Sequence, residues 1–325
     1  MLKMTLLAWQ KILDSTMLLC WRNKNIPTFL VKLHKFKDTL GCHFVFRRWD
    51  FLLTQRCFSG KMVKTEVGMK NKVILISIDG MRPDGLQSCG NPYVKELEKM
   101  CAYTYSAQAV EPSVTFPCHF SMTHSVTPQR HGILTNTYVP QVRPVRGIFE
   151  KIKAAGGKSG MLYGWEPLRD IALPETLTFA TYIYDYSREN ADTELTDVAI
   201  QTLEKDRLDF VFLYLAETDD KGGHDHGWMS EEYLGRISVA IDNVKRMIDA
   251  FGDEYSVIIM SDHGGHGRSH GSNLPEDMTI PLFFYGKEFT PGPITRQLSL
   301  LDIAPTIAKL MGIEPEHEWE GVSLI

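Results

Sequence analysis

The feature that most constrains the fold is a set of short, uninterrupted apolar runs rich in β-branched residues. They cover residues 72–79, 209–217, 255–262 and 280–286. Continuous apolar runs of this length are typical of strands that are buried on both faces, as in a parallel sheet. The first three runs each end in an acidic residue. The sequence therefore predicts a buried parallel sheet whose strands deliver carboxylates at their carboxyl ends.

Segments with helical character separate these runs. They are residues 92–103, 146–157, 192–206, 230–252 and 302–312. Ser230 is the expected N-cap of the fourth segment, and Asp302 is that of the last. Strands that alternate with helices indicate an α/β fold with a doubly wound, mostly parallel sheet and helices on both faces. Ligands of such sheets bind at the carboxyl ends of the strands, where Asp79 follows the first run.

The stretch EPSVTFPCHF, residues 111–120, holds a hydroxyl between two prolines. Pro112 and Pro117 exclude an ordinary helix interior, but Thr115 followed by a proline suits the entry to a helix. Free N–H groups and the helix dipole stabilise negative charge at such an entry. From these residues alone, Thr115 is either a helix cap or a covalent carrier of phosphate. Asp79 likewise is either a cap or a ligand.

Residues 216–227, AETDDKGGHDHG, follow the second strand and combine carboxylates, imidazoles and glycines. Asp220 and His224 are four residues apart and could meet on one metal ion. Asp219 and His226 are competing candidates in the same segment. The alternative is a solvated polar loop, but its position after an apolar strand favours metal binding.

Residues 261–271, SDHGGHGRSHG, hold Asp262, His263, His266 and His270 within nine positions. Glycines separate these residues, so few apolar neighbours are available to bury the imidazoles in a core. Together the two segments supply more oxygen and imidazole ligands than one tetrahedral site needs, which predicts two metal ions. Ligands of this kind without thiolates suit Zn²⁺, with Mn²⁺ or iron as weaker options. Paired metal ions clamp a phosphoryl group for in-line displacement.

The order of these motifs resembles the alkaline phosphatase superfamily. It runs from a strand ending in Asp-Gly, through Thr-Phe-Pro-x-His, Asp-x-x-Gly-His and Ser-Asp-His-Gly, to a last His-Gly. Within that superfamily, residues 72–325 are most similar to the nucleotide pyrophosphatase/phosphodiesterase (type I phosphodiesterase) family. One departure is Cys118, where the family usually has Asn. Another is an extra residue after Glu217, which leaves open whether Asp219 or Asp220 matches the motif.

The resemblance implies a role for each motif residue. Thr115 would be the nucleophile, with Ser113 and Ser121 as lesser candidates, and Asn136 in RHGILTN would contact the phosphate. The implied ligands of the two zinc ions are Asp79, Asp262 and His263 for one, with Thr115 bridging to it, and Asp220, His224 and His270 for the other. His270 is preferred over His266 because Gly271 follows it, as the motif expects. Tyr163 and Trp165 are candidate substrate-binding aromatics.

The resulting expectation is a hydrolase of phosphodiester or pyrophosphate bonds in small nucleotide-type molecules, working through a phospho-threonine. A phosphomonoesterase or phosphonate hydrolase on the same scaffold, or a non-catalytic metal-binding module, is the alternative. A sulfatase is disfavoured because SVTFPC lacks the Cys/Ser-x-Pro-x-Arg setting. The net charge of −5 gives no reason to expect binding to a nucleic-acid polymer.

Residues 1–70 differ in charge from the rest, with 13 Lys/Arg against 4 Asp/Glu. We expect them to form a basic, poorly ordered extension and residues 71–325 to form the catalytic domain. The apolar run 4–21 is interrupted by Gln10, Lys11 and Asp14, and is too polar and too short to span a bilayer. The six cysteines form neither a C-x-x-C pair nor a regular spacing. Reduced thiols and a cytoplasmic location are the corresponding expectation.

Removal of residues 1–61 or 1–68, so that the chain begins at Met62 or Met69, should preserve folding and activity. The reason is that the predicted sheet and every candidate site residue lie after position 70. Circular dichroism and hydrolysis of a chromogenic phosphodiester check this. Loss of soluble, folded protein in the chain that begins at Met62 would contradict it.

Overall fold

In the computed structural model, the structure describes residues 69–325. The expected extension, residues 1–70, lies almost wholly outside this part of the chain. The strands are β1 (Lys72–Ile78), β2 (Ala102–Gln108), β3 (Ser159–Tyr163), β4 (Leu177–Tyr182), β5 (Phe210–Leu215), β6 (Tyr255–Met260), β7 (Thr279–Tyr285) and β8 (Gly292–Pro293). All four strands predicted from the apolar runs are present, at β1, β5, β6 and β7.

Helices separate most of the strands. They are α1 (Pro83–Ser88), α2 (Tyr93–Met100), α3 (Thr115–His124), α4 (Pro128–His131), α5 (Ile148–Ala154), α6 (Ala191–Asp206), α7 (Glu231–Phe251), α8 (Pro275–Met278) and α9 (Ile303–Met311). Short 3₁₀-helices cover Glu166–Ile171, Pro174–Thr176, Asp185–Ser187 and Leu300–Asp302, and a π-helical turn covers Thr218–His224. The predicted helical segments correspond to α2, α5, α6, α7 and α9.

The strands form one sheet in the order β4-β3-β5-β1-β6-β7-β2-β8. The central pairs β3–β5, β5–β1 and β1–β6 are parallel, which confirms the mostly parallel α/β fold. The run at residues 280–286 was expected to form another parallel strand, and this was wrong. That segment, β7, is antiparallel to both β6 and β2. An apolar run records burial on both faces but not strand direction, so the sequence could not distinguish the two.

Alternate side chains of β1 pack into two cores, one on each face of the sheet. Val73 and Leu75 lie in the core that includes α3, α5 and α9. Ile74 and Ile76 lie in the core that includes α2, α6 and α7. Because every second residue of a strand points to the same face, a strand that is apolar throughout must be covered on both sides. The two helical layers provide that cover and leave the ends of the strands available for a binding site.

Helix ends follow the sequence signals with one exception. The Ser230 hydroxyl accepts a hydrogen bond from the backbone N–H of Tyr233, as an N-cap does. Asp302 occupies the N-cap position of α9 but makes no cap bond to it. Its carboxylate accepts instead from the backbone N–H groups of Ser299 and Val322. Asp302 therefore ties the chain after α9 back to the start of that helix.

In residues 69–325, no helix has both the length and the apolar character that crossing a membrane requires. Cys89, Cys101 and Cys118 are free thiols in the same part of the chain.

Replacement of Leu75 by Ala should destabilise the protein by about 2–5 kcal/mol, because Leu75 is 0% exposed in the central strand and its removal leaves a cavity. Val142→Ala is the control. That side chain is 98% exposed, so its loss should change the free energy of unfolding by less than about 1 kcal/mol. Urea unfolding followed by circular dichroism measures both values. Equal losses in the two variants would contradict the assignment of the core.

Candidate active site

The candidate site lies at the carboxyl ends of three neighbouring strands. Asp79 directly follows β1, Asp219 lies in the π-helical turn after β5, and Asp262 follows β6. Since β5, β1 and β6 are adjacent and parallel, their ends deliver these side chains to the same edge of the sheet. All three carboxylates are buried. Thr115 opens α3 beside them, as expected for a hydroxyl at a helix entry.

A glycine makes this convergence possible. Gly80 has φ +64°, a left-handed conformation that side chains with a Cβ rarely adopt. A Cβ placed on Gly80 would lie 2.6 Å from Oδ1 of Asp219. Only glycine therefore allows the chain to turn after Asp79 while the Asp219 carboxylate stays close.

The first ligand group consists of Asp79, Asp262 and His263. One side-chain ligand atom from each lies within 4.8 Å of the others. Nε2 of His263 is 3.2 Å from Oδ1 of Asp79 and 3.4 Å from Oδ2 of Asp262. The Thr115 hydroxyl oxygen lies 3.1 Å from the same nitrogen. The structure thus brings together the hydroxyl and all three residues expected to hold the first metal ion.

The second ligand group is built around Asp219. Asp219, His263 and His270 satisfy the same 4.8 Å criterion. Oδ1 of Asp219 lies 3.9 Å from Nε2 of His270, and its Oδ2 lies 3.3 Å from Nε2 of His224. The rings of His263 and His270 stack with centroids 3.9 Å apart. The two groups therefore share His263 and lie side by side.

Backbone carbonyls fix the orientation of the three imidazoles. Nδ1 of His263 lies 2.7 Å from the carbonyl oxygen of Gly264. Nδ1 of His270 is 3.0 Å from that of Ser113, and Nδ1 of His224 is 3.1 Å from that of Arg268. A carbonyl can only accept, so each Nδ1 carries a proton. The Nε2 atoms of His263 and His270 then present their lone pairs to the site. The hydrogen bond to Asp219 raises the pKa of His224 to about 9, so its Nε2 carries a second proton that a metal ion would displace. This is the orientation in which histidines bind metal ions.

The buried carboxylates lack neutralising partners. Among residues 69–325, one oxygen each of Asp79, Asp219 and Asp262 is buried without a hydrogen-bond partner. No lysine or arginine of the described chain forms an ion pair with them, and their only ion-pair contacts are imidazoles. An unpaired buried carboxylate oxygen is costly unless a proton or a cation satisfies it.

The pKa shifts of these groups reflect the same unfavourable burial of negative charge. Burial, together with the charges of Asp262 and Asp219, raises the pKa of Asp79 well above its usual value. Burial raises the pKa of Asp262 to about 8 and lowers that of His263 to about 3. Burial also raises the pKa of Asp219, but the hydrogen bond from His224 and the charges of the nearby imidazoles outweigh it and leave that pKa below its usual value. A bound dication would stabilise all three ionised carboxylates and use the neutral imidazole.

The orphaned oxygens and the oriented Nε2 atoms fit divalent metal ions. The donor set is carboxylate, imidazole and hydroxyl, with no thiolate. Hard oxygens combined with imidazole suit zinc, manganese and iron. These residues are therefore candidate ligands for two neighbouring ions.

The π-helical turn decides how Asp219 and Asp220 are placed. In the turn Thr218–His224, the backbone N–H of Gly222 donates to the carbonyl of Glu217, five residues earlier. A spacing of five therefore aligns side chains, and Asp219 shares a face with His224. The sequence interpretation assumed a spacing of four and preferred Asp220. The structure places Asp219 in the ligand group, whereas Asp220 lines the adjacent cavity and interacts with Asp185.

The competing histidines lie elsewhere. Nδ1 of His266 contacts the buried Asp277 at 2.7 Å, and the His266 side chain is 42% exposed. His226 is exposed and lines a separate groove. Neither belongs to a ligand group among the described residues. His270 is the histidine that reaches the site.

A small cavity of about 70 Å³ adjoins the ligands. Thr115, Asn136 and Trp165 line it together with Asp79, Tyr214, Asp219, Asp220, His224 and His270. Oδ1 of Asn136 accepts a hydrogen bond from the backbone N–H of Phe116 at 3.0 Å, next to the Thr115 hydroxyl. Tyr163, expected to bind substrate, is outside this lining. Tyr163 is the last residue of β3. Its side chain belongs to a core cluster, and its ring stacks on Tyr182.

Two residues at the site were not assigned a role from the sequence. The Tyr214 hydroxyl donates to Oδ2 of Asp79, and its ring lies edge-on to His119. Nδ1 of His119 lies 2.8 Å from the Thr115 carbonyl and 3.3 Å from Oδ2 of Asp262, while its Nε2 contacts Ser77. Tyr214 lies inside an apolar strand and gave no signal. His119 stood in the Thr-Phe-Pro-x-His motif, which could have pointed to it.

A family model described as type I phosphodiesterase / nucleotide pyrophosphatase matches residues 73–274. That range covers more than half of the chain and contains every residue of both ligand groups. The chain belongs to the type I phosphodiesterase/nucleotide pyrophosphatase family.

Curated relatives include members of this family from mammals. The chain is 27% identical over 218 residues to ectonucleotide pyrophosphatase/phosphodiesterase family member 1 of Rattus norvegicus, which covers 59% of the chain and 24% of the relative. It is 30% identical over 149 residues to the 2,3-bisphosphoglycerate-independent phosphoglycerate mutase of Clostridioides difficile, which covers 44% of the chain and 29% of that relative. The chain thus aligns with about a quarter of the length of these relatives.

Solved structures share the fold at low identity. Murine ectonucleotide pyrophosphatase/phosphodiesterase 5, in an inactive form in complex with AMP, superposes with a TM-score of 0.64 at 16% identity. The match covers 75% of this chain and 96% of the murine chain. The phosphonate monoester hydrolase of Silicibacter pomeroyi superposes with a TM-score of 0.62 at 14% identity, covering 78% of this chain and 76% of the hydrolase. The alkaline-phosphatase-like architecture is confirmed by these neighbours.

The substitutions Asp219→Asn and Asp220→Asn test the ligand geometry as a matched pair of adjacent, isosteric changes. After dialysis against zinc, the unmodified chain and Asp220→Asn should each retain about two ions, the number needed for a two-metal site. Asp219→Asn should retain about one, because it removes the carboxylate that faces His224 and His270. Elemental analysis by mass spectrometry measures the zinc. A lower zinc content in Asp220→Asn than in Asp219→Asn would contradict the assignment.

Proposed function

We propose that this member of the family is a metal-dependent hydrolase of phosphodiester or pyrophosphate bonds in nucleotide-type substrates. It would work through a phospho-threonine at Thr115 and a centre of two zinc ions. The observation that carries the proposal is the position of the Thr115 hydroxyl, 3.1 Å from Nε2 of His263 at the first turn of α3. A hydroxyl beside metal ligands and a helix N-terminus is equipped to act as a nucleophile.

Asp79, Asp262 and His263 would hold one ion, and Asp219, His224 and His270 the other, with Asp220 as the alternative to Asp219. Bound zinc would supply positive charge that lowers the pKa of the attacking hydroxyl and stabilises the leaving oxygen. The contacts that support this arrangement are the orphaned oxygen on each of the three aspartates and the Nε2 atoms turned into the site.

The residues of the chain would then divide the reaction between them. Thr115 Oγ1 would lose its proton to solvent and attack phosphorus, and its bond to phosphorus would form as the bond to the leaving oxygen breaks. Water would later attack the phosphoryl group, break its bond to Oγ1 and return a proton to Thr115. Asn136 keeps its side-chain N–H₂ free for a non-bridging oxygen, because its Oδ1 is already bound to the N–H of Phe116. Such donors, fixed before the reaction, stabilise the charge of the transition state. Nδ1 of His119 donates to the Thr115 carbonyl and lies 3.3 Å from Oδ2 of Asp262, so its ring would help to hold the nucleophile and the ligand in place.

The absence of cationic side chains from the cavity favours a diester over a monoester. No lysine or arginine occurs among its lining residues. Arg82 is bound to Asp84 and to the carbonyl of Gly265, and Lys221 is bound to Glu217 and to the carbonyl of Arg188. Both cations are therefore already engaged by the protein. A monoester carries an extra negative charge on the transferred group. The residues that line this cavity include no lysine or arginine to neutralise that charge.

Two observations support nucleotide-type substrates: an aromatic side chain in the cavity and a ligand bound by a structurally similar protein. Trp165 lines the cavity together with the candidate ligands, and an indole ring can stack on a base. The structurally similar murine protein binds AMP in an inactive form. A phosphomonoesterase or phosphonate hydrolase on the same scaffold, and a metal-binding module without turnover, are the other outcomes of the test below.

Thr115→Ala should lower the turnover of bis-p-nitrophenyl phosphate at least about 10³-fold, because it removes the attacking oxygen. Thr115→Ser keeps a hydroxyl in the same place and should retain measurable turnover and a trappable phospho-enzyme. Ser121→Ala is the control, since that hydroxyl faces His131 rather than the ligands. Rates are followed by release of p-nitrophenol, with zinc content measured in each variant.

Comparison with p-nitrophenyl phosphate separates the alternatives. Faster hydrolysis of the diester, lost in Thr115→Ala while zinc is retained, supports the proposal. Preference for the monoester would assign the protein to phosphomonoesterases instead. Full zinc content with no turnover of either ester would indicate a metal-binding module. Full activity in Thr115→Ala would exclude the phospho-threonine.

A further inference from the structure

The two edges of the sheet are built differently. At one edge, β8 is only two residues long and ends in Pro293, which has no N–H to donate. Short strands and prolines prevent an edge from pairing with another chain. At the other edge, β4 runs for six residues, Leu177–Tyr182, without proline, glycine or a charged residue. The β4 edge therefore lacks the features that protect the opposite edge.

The outer side of β4 has no partner among residues 69–325. The strand pairs with β3 on one side only, and it ends the strand order of the sheet. Beyond that ladder, the backbone N–H of Leu177 donates to the carbonyl of Pro174, and no other hydrogen bond of the described chain involves the backbone of residues 177–182. Thr178, Ala180 and Tyr182 are exposed along it. An edge of this kind presents a row of free backbone donors and acceptors to a further strand.

The chemistry of the edge favours a second copy of itself as that strand. The run from Thr176 to Tyr184 contains no charged residue, although the chain carries a net charge of −5. Two copies of an uncharged, β-branched and aromatic strand can meet without like charges facing each other. A twofold axis makes two identical strands antiparallel, which is a favourable pairing for a closed dimer. We propose that β4 pairs with β4 of a second copy of this chain and joins two eight-stranded sheets into one.

An apolar hollow beside the strand adds a contact for side chains. It has a volume of about 210 Å³, and its apolar lining residues include Met161, Ala172, Leu177 and Phe179. The charged lining residue, Arg169, is paired with Glu166 and Asp170 of its own chain. Leu173 lies next to it in sequence and is 50% exposed, and Tyr184 is 49% exposed. Protruding apolar side chains and an adjoining hollow on one edge are mutually complementary, as a twofold interface requires. The pairing therefore combines backbone hydrogen bonds with burial of apolar surface.

The pairing leaves the candidate active site in place. None of the residues that line the catalytic cavity belongs to β4. The ring of Tyr182 stacks on Tyr163, which lies two residues before the cavity residue Trp165. The dimer is thus independent of the proposed hydrolysis, and each can fail without the other.

Ala180→Lys tests the dimer, because a lysine on an edge strand opposes pairing with another strand. Ala250→Lys is the matched control, since Ala250 is exposed on α7, away from β4. Sedimentation velocity should give the unmodified chain and Ala250→Lys a mass near twice 37.0 kDa, and Ala180→Lys a mass of 37.0 kDa. All three should hydrolyse bis-p-nitrophenyl phosphate equally. Thr178→Lys repeats the test if Ala180→Lys does not fold.

Hydrogen exchange provides a second measurement on the unmodified protein. The amides of residues 177–182 should become more protected as the protein concentration is raised through the dissociation constant. A protein that stays monomeric at about 100 μM would overturn the proposal, as would a dimer that survives both lysine substitutions. Protection of these amides in a monomer would overturn it too, because the edge would then be covered within one chain.

Discussion

Three carboxylates, those of Asp79, Asp219 and Asp262, are buried close together at the ends of neighbouring strands. Their mutual repulsion and loss of hydration oppose folding, and no lysine or arginine of the described chain forms an ion pair with them. Such an arrangement is tolerable only if something outside the polypeptide supplies positive charge, or if protons are retained. The residues around the carboxylates are arranged to bind an external positive charge. Three imidazoles turn Nε2 inward, and backbone carbonyls hold each ring in that orientation.

The sheet order explains why the arrangement is rigid. The strands β5, β1 and β6 are adjacent and parallel at the centre of the sheet, with a helical core on each face. Side chains that follow them are fixed by the most deeply buried part of the molecule rather than by long loops. The nucleophile candidate is placed independently, by the first turn of α3, and meets the ligands through His263. Rigid elements therefore set both halves of the site, as precise positioning in catalysis requires.

Much of this could be predicted from the sequence, for identifiable reasons. Buried central strands are continuous apolar runs, so β1, β5 and β6 were found with their acidic ends. The direction of β7 could not be predicted, because the burial of a strand is the same in either orientation. The strand β2, with the polar sequence AYTYSAQ, was missed because its neighbours in the sheet, rather than its composition, make it a strand. Tyr214 was hidden for the opposite reason, since a tyrosine within an apolar strand resembles any other core residue.

Among the site residues, too, some could be predicted from the sequence and others could not. Asp79, Thr115, Asp262, His263 and His270 stood in motifs whose type and order point to metal ions and a hydroxyl nucleophile. The choice between Asp219 and Asp220 depended on the pitch of a single turn, which no residue type reveals. His266 was set aside in favour of His270 on the glycine that follows, and the structure ties His266 to Asp277 instead.

The π-helical turn at Thr218–His224 shows how a chain can absorb an added residue at a sensitive point. In an α-helical turn, one extra position would rotate everything before it by about 100° relative to His224 and would aim the carboxylate away from its partner. Widening the turn takes up that rotation locally, so the strand before it and the helix after it keep their places. An insertion between two ligands can thus be neutral for the site. Spacing rules written for such motifs should allow for one additional residue, or they will align the wrong carboxylate and overlook proteins that keep the same centre.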